Sequence, residues 1–383
     1  MKIFTRNYAQ LLPLSADSHL DLIAKAQNLV QELSLRQDDD SLPAFCAAAA
    51  AADGGAPHRA ALIATSRQEM VQRLGELIEA KLGASVLVGE ARAKAQDVVF
   101  VFTGQDAQWQ GMGRALLKRE PVFRAAIEQC SRLVERELQW SVLDELQAAP
   151  EQSRLAQIDV SLPVTLSVEI AVGLLWRSWG VQPAAVVAHS AGEIAAAHAA
   201  GVLSLEDTMK IVCAYGHVLK NRGHGAMGVV GLPWDQAQKA IGDSAGKLFL
   251  AIEHSWDSTV VAGEPRVLDA LLEKLKATGV YCGRVNIDVT PHCPLVEDLR
   301  DELFQAIKGI QPQREKIPIA SGVTGSFLAG ESLDAVHWVR AFCERSLFST
   351  AIDQLIQQAA WIGSFNGNLL TKGIKVTLQE HLA

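Results

Sequence analysis

Apolar and polar positions alternate along this chain in two rhythms. A continuous apolar run at residues 97–103, DVVFVFT, and another at 184–188 have the length and β-branched content of strands buried on both faces of a parallel sheet. Helical periodicity fills the space between them at 120–138 and 162–179, so a doubly wound α/β layer is predicted. Before this layer, strands at 11–15 and 59–64 and helices at 20–33, 45–52 and 67–81 predict a separate small α/β unit. The alanine run at 47–52 reads as a packed helix, because alanine is the best helix former.

The rhythm changes after residue 225. Strand 228–231, helix 234–241, strands 249–253 and 259–262, helix 266–277 and strand 281–288 follow in the βαββαβ order of a ferredoxin-like unit. Segments 317–323 and 373–378 then return to the sheet pattern. The expected division is therefore 1–95, a small α/β domain; 96–225, the first part of a larger α/β subdomain; 226–288, an inserted ferredoxin-like subdomain; and 289–383, the second part of the larger one.

Composition narrows the class without naming a function. The 383 residues are 49% hydrophobic and 20% charged, which excludes disordered and collagen-like chains and allows a large core. A net charge of −8 is a poor match to polyphosphate, so nucleic acid is not an expected partner. The six cysteines are scattered with no CxxC pair, which reads as buried thiols in a reducing compartment. No window approaches ~18 uninterrupted apolar residues and the first ten lack a leader pattern, so a soluble cytoplasmic location with no membrane contact is expected.

The chemistry concentrates at Val186-Val187-Ala188-His189-Ser190-Ala191-Gly192-Glu193, which runs into a helical stretch at 194–200. A serine on a sharp turn between a buried strand and a helix presents its hydroxyl at the helix N-terminus, where amides and dipole favour a developing oxyanion. Small residues at 188, 191 and 192 permit that turn, although the nucleophile-elbow motif has glycine where Ala188 stands. Taken alone, the pentapeptide suits either a nucleophile or a serine that caps a helix.

An ordered set of further motifs distinguishes these readings. Phe102-Thr103-Gly104-Gln105-Asp106-Ala107-Gln108 is similar to a GQGxQ opening loop, and HSxGE stands at 189–193. AGVLSLED at 200–207, PHCP at 291–294, VTG at 323–325 and HWVR at 337–340 follow in order. With these the chain resembles the acyltransferase family of malonyl-CoA:acyl-carrier-protein transacylases and modular polyketide synthase acyltransferase domains. Residues 8–95, from LPLSA at 12–16, resemble the linker between ketosynthase and acyltransferase. The resemblance implies an α/β-hydrolase-like parallel-sheet core. It also implies Ser190 as nucleophile, His292 as general base, and the N–H groups of Gln105 and Ala191 as oxyanion hole. It implies acyl-CoA or a phosphopantetheinyl carrier protein as substrate, no bound cofactor or metal, and an acyl carrier protein and ketosynthase or other synthase modules as partners.

Two departures concern the acyl group. Family members that use malonyl or methylmalonyl thioesters carry an arginine 25 residues after the nucleophile, and here that position is Tyr215. The tetrapeptide Val289-Thr290-Pro291-His292 differs from the HAFH and YASH forms tied to malonyl and methylmalonyl choice. Tyr215, His189, Val289 and Pro291 are thus the expected substrate-facing positions, and an acyl group without a free carboxylate is the expected cargo. Lys220 or Arg222 could stand in as a cation, but a lysine or a displaced arginine does not reproduce the fork of the lost guanidinium. Asp106 stands where the family has a second loop glycine, and Asn366-Gly367-Asn368 stands where a Gly-Pro segment helps orient the histidine. An acyl hydrolase clearing stalled carrier proteins and a noncatalytic carrier-docking module are the competing readings; a lipase-like hydrolase lacks a triad carboxylate in the expected order.

Overall fold

Leu12, Leu14 and Leu62 alternate with more exposed neighbours along two short segments, so the segments pair as strands with one buried face. The computed structural model describes residues 9–35, 42–91, 98–105, 108–222, 225–242, 244, 246–285, 287 and 289–358, with backbone alone at 221, 222 and 358. The chain forms two compact units, residues 1–96 and 97–383.

In the first unit β1 (Gln10–Ala16), β2 (His58–Ala64) and β3 (Val86–Glu90) make an antiparallel sheet in the order β1-β2-β3. Helices α1 (His19–Leu35), α2 (Leu42–Ala52) and α3 (Arg67–Ile78) belong with it, and Leu22, Leu33, Phe45 and Leu74 join its core. Ser66 starts α3 by accepting a hydrogen bond from the Glu69 N–H. Strand β3 has no counterpart in the sequence reading. Four of its five residues are exposed, so it exists through its backbone ladder with β2 and carries little apolar signal.

The second unit is built on β4 (Val98–Phe102), β5 (Pro183–Ala188), β10 (Ile319–Ser321) and β11 (Ser326–Leu328), in the order β11-β10-β5-β4. The first three are mutually parallel and β11 runs antiparallel to β10. Between β4 and β5 lie α4 (Arg114–Arg119), α5 (Pro121–Leu138), α6 (Val142–Gln147) and α7 (Ile158–Ser178); α8 (Gly192–Ala199) and α9 (Leu205–Arg222) follow β5. One sheet face packs Phe102, Val186 and Ala188 against residues of α5 and α7 to α9. The other packs Ala185, Val187 and Ala320 against Phe348, Ala351 and Leu355 of α14 (Phe348–Gln358). This is the expected two-sided α/β layer.

Strand β4 differs from expectation, since Val98 is 41% exposed and only Phe102 is buried. Among the described residues β4 is an edge strand, with β5 on one side alone. Helix α7 also starts one turn earlier than expected, with Pro163 inside it and the Ser167 hydroxyl donating to the Pro163 carbonyl at 2.6 Å. By length and composition α7 could cross a membrane, at a mean hydropathy of 1.8, yet 72% of that window is buried inside the protein, as for a core helix. The segment 373–378 lies outside the described residues.

The expected βαββαβ order is present, with the last strand shorter than read, Cys282–Arg284 against 281–288. Strands β6 (Ala226–Val230), β7 (Leu248–Ser255), β8 (Ser258–Gly263) and β9 (Cys282–Arg284) form an antiparallel sheet in the order β7-β8-β6-β9. Helices α10 (Trp234–Ile241) and α11 (Pro265–Ala277) cover one face, packing on Ala226, Val230 and Val261. The opposite face presents Met227, Val229 and Val260. Period two along β6 therefore sends alternate residues to two different jobs. After this sheet come α12 (Arg300–Ile307) and α13 (Ala335–Cys343). All six cysteines are free thiols.

Candidate active site

The turn from β5 into α8 is built by contact between two backbones. His189 N–H donates to the Phe102 carbonyl at 2.9 Å, tying the elbow to the end of β4. A Cβ on Gly192 would lie 2.6 Å from the Phe102 oxygen, and one on Gly104 would lie 2.6 Å from the His189 oxygen and 2.8 Å from the Gly192 nitrogen. Glycine at both positions lets the loop after β4 reach the first turn of α8. Gln105 and Ala191 thereby come to opposite sides of one close approach, and Ala191 opens α8, where helical geometry leaves amides without internal partners.

Ser190 sits at the apex with φ 54°, and His292 has φ 64°. Left-handed backbone at a residue with a Cβ costs about 1–2 kcal/mol, and both residues that face one another here adopt it. The His292 N–H donates to the Phe342 carbonyl at 2.9 Å, which holds this conformation. Ser190 Oγ lies 2.6 Å from His292 Nε2, and His292 Nδ1 lies 3.2 Å from the Glu344 carbonyl oxygen. A carbonyl only accepts, so Nδ1 carries the proton and Nε2 is left to accept from the serine hydroxyl. Burial pushes the imidazole down to about 4, offset in part by the Glu344 carbonyl and the Glu193 charge, so the ring is neutral at pH 7.

Glu193 anchors the elbow from below. Its carboxylate accepts from Ser321 Oγ at 2.6 Å, Gly322 N–H at 2.9 Å and His337 Nε2 at 2.9 Å, joining α8 to the end of β10 and to α13. Glu193→Ala would leave all three buried donors unanswered, and a loss of about 3–5 kcal/mol is expected. Urea unfolding followed by circular dichroism measures it.

Ser190 and His292 open into one cavity. The second sheet supplies Met227, Val229, Ile252 and Val260, with Val285 and Ile287 beyond β9; the parallel core supplies Val101, Phe348 and Ile352. Thr103, Gln105, His189, Pro291 and His254 complete it. No lysine or arginine is among the described residues that line it. The wall is held in place by β7, whose Glu253 N–H donates to the Ser346 carbonyl at 2.8 Å while Ser346 N–H donates to Ala251 at 2.9 Å. His254 meets His189 through a ring nitrogen contact of 3.1 Å, and both rings pack near Phe348.

The expected substrate-facing positions divide into two pairs. His189 and Pro291 line the cavity, whereas Tyr215 and Val289 do not and belong to the core behind it. Tyr215 is 4% exposed, donates its hydroxyl to the Trp338 carbonyl and packs edge-on against Phe342. A buried phenol takes the nearest acceptor and directs its ring into the core. Lys220 is paired with Asp159 at 2.7 Å, outside the cavity. Asp106, the side chain of Arg222 and the 366–368 turn lie outside the described residues. Sequence reading missed the Glu344 carbonyl, which no side-chain pattern can announce, and the roles of Glu193 and His254. It also missed Glu169, although a lone carboxylate inside an apolar helix was a readable signal.

The parallel core, the elbow turn and the second sheet over it define an acyltransferase fold of the α/β class. The chain belongs to the acyl transferase domain family, whose model matches residues 99–380. It is 37% identical over 303 residues, 79% of its length, to the polyketide synthase GfsB of Streptomyces halstedii, and spans 5% of that relative. The acyltransferase domain from module 8 of the salinomycin polyketide synthase superposes with a TM-score of 0.83 at 33% identity, covering 91% of this chain and 83% of the other. A loading acyltransferase from the avermectin modular polyketide synthase superposes at 0.66 with 36% identity, covering 68% of this chain and 83% of the other.

Proposed function

We propose that this acyltransferase moves an uncharged acyl group from a CoA or carrier-protein thioester to the phosphopantetheine thiol of an acyl carrier protein, by a ping-pong route through acyl-Ser190. Ser190 Oγ attacks the thioester carbonyl carbon as its proton passes to His292 Nε2. The oxyanion is held by the N–H groups of Gln105 and Ala191, aided by the α8 dipole. Collapse breaks the C–S bond, and His292 returns the proton to the departing thiolate. The carrier thiol then gives its proton to His292, its sulfur takes the acyl carbon, and Ser190 recovers its hydrogen. The observation that carries this reading is the 2.6 Å contact of Ser190 Oγ with a neutral imidazole whose other nitrogen is occupied.

The lining of the cavity supports this acyl class. A malonyl carboxylate seated against aliphatic side chains, with no guanidinium among the described lining residues, would lose about 3–5 kcal/mol, or about two to four decades in affinity. Similarity to a loading acyltransferase agrees with a starter-type acyl cargo. In this reading residues 1–95 act as a linker toward a ketosynthase, and 226–288 form a small subdomain set into the larger one of 96–225 and 289–383.

Intact-protein mass spectrometry after incubation with butyryl-, isobutyryl- and malonyl-CoA tests it. Expected is rapid addition of the two uncharged acyl groups on Ser190, an adduct stable in buffer and discharged by holo carrier protein. Faster malonylation overturns the acyl class, and rapid decay without carrier protein marks a hydrolase instead.

A further inference from the structure

Glu169 is the only charged residue between Asp159 and Arg177 of α7. Its Oε1 accepts two hydrogen bonds, from Thr103 Oγ1 at 2.9 Å and from Gly104 N–H at 2.7 Å. Its Oε2 is buried with no hydrogen-bond partner among the described residues. Both donors belong to the turn after β4, and the next residue is Gln105. A buried ion with one oxygen unanswered is costly, and a glutamine of the same shape would still offer an acceptor to both donors. Stability alone therefore does not explain a carboxylate here. The turn it grips cannot hold itself, since Gly104 has φ 71° and no side chain.

We infer that Glu169 is a positioning residue for acyl transfer, which fixes the Thr103–Gly104 turn so that the Gln105 N–H is aimed at the oxyanion. The inference rests on the oxyanion role proposed above for Gln105. An anion accepting both bonds grips the turn more strongly than a neutral carboxyl. Burial raises this carboxyl to about 7 against the lowering effect of Thr103 and Gly104. Cys130 of α5, Glu193 and His198 of α8, and Cys213 and Tyr215 of α9, on the helices packed against α7, do not contribute to that shift. The turn is thus held most firmly above neutral pH, far from the titration of His292.

The test is the rate of Ser190 acylation by butyryl-CoA, followed by quenched flow and intact mass from pH 5 to 9, in the wild type, Glu169→Gln and Thr103→Val. Glu169→Gln is expected to lower the saturating rate constant about 10- to 100-fold, leaving the half-saturating concentration within about twofold. The wild-type rate is expected to rise through an inflection near 7 that Glu169→Gln abolishes. Thr103→Val removes one bond to the anion and is expected to move the inflection upward. A Glu169→Gln enzyme with wild-type rates and an intact inflection overturns the inference while the acyl-serine reading stands. Should that variant fail to fold, an unmoved inflection in Thr103→Val overturns it. A wild type that no acyl-CoA labels on Ser190 overturns the reading, and the inference with it.

Discussion

Replacing His292 with glutamine is expected to slow acylation of Ser190 by about 10²- to 10⁴-fold, the range a positioned general base supplies. Glutamine keeps a polar side chain in the buried slot and cannot take the serine proton, so the loss reports chemistry and leaves the fold in place. Ser190→Ala is expected to give no adduct at all in the same mass measurement. The imidazole titrates near 4, so below the inflection that Glu169 sets near 7 the remaining wild-type rate is expected to persist well under the ordinary histidine range and to be lost as the pH approaches 4. The same shift enters stability. The unfolded chain holds the proton up to about 6.5, so between that value and about 4 it binds more protons than the folded chain. The contribution is complete above the upper limit and is lost as the pH falls, by about 3 kcal/mol in all.

Glu169 acts with the opposite sign. Its folded value of about 7 lies above the ordinary 4.5, so its contribution is complete below the lower value and is lost as the pH rises through the upper one. The two windows overlap almost fully. Urea midpoints are therefore expected to be nearly flat between pH 5 and 6.5 in the wild type and to fall with rising pH in His292→Gln. Equal slopes in the two proteins would contradict the burial of the neutral imidazole.

Gly104→Ala is expected to cause the largest loss of stability among single-methyl additions around the site. Its Cβ would meet two backbone atoms, the His189 oxygen at 2.6 Å and the Gly192 nitrogen at 2.8 Å, and φ is 71°. Left-handed backbone contributes about 1–2 kcal/mol and overpacking about 1–3. The neighbours are main chain, which cannot rotate away. A total of about 3 kcal/mol or more is expected from urea unfolding, with loss of Ser190 acylation because the oxyanion side separates from the elbow. Gly75→Ala is the control. Nothing lies within 4 Å of the added methyl inside α3, so that change is expected to be neutral or to stabilise by up to about 1 kcal/mol.

The elbow was legible because its constraints are local. A buried strand, small residues at 188, 191 and 192, a serine and a helical run stand next to one another in the chain. The ferredoxin-like order was legible for the same reason, since period two and helical periodicity succeed each other in βαββαβ sequence. Strand β4 was misjudged because an apolar run reports that its residues are apolar and cannot report whether a neighbour covers them. Tyr215 was assigned to the cavity because the resemblance puts it where the family carries its carboxylate-binding arginine. Spacing along a helix fixes the side of the helix a residue occupies, while the depth of that side is set by what packs there, in this case Phe342 and the Trp338 carbonyl.

Sequence by itself determined that this chain holds a serine on a strand-to-helix turn, an α/β layer around it and a second unit in βαββαβ order. Tertiary structure alone decided that His292, 102 residues away, meets that serine, and that a main-chain oxygen of Glu344 sets its tautomer. It also decided that the open sheet face walls the cavity with aliphatic side chains. Periodicity encodes which side of an element avoids water, because solvent acts on every residue in the same way. Which atom lies opposite which is fixed only when distant segments pack, and reactivity depends on that pairing.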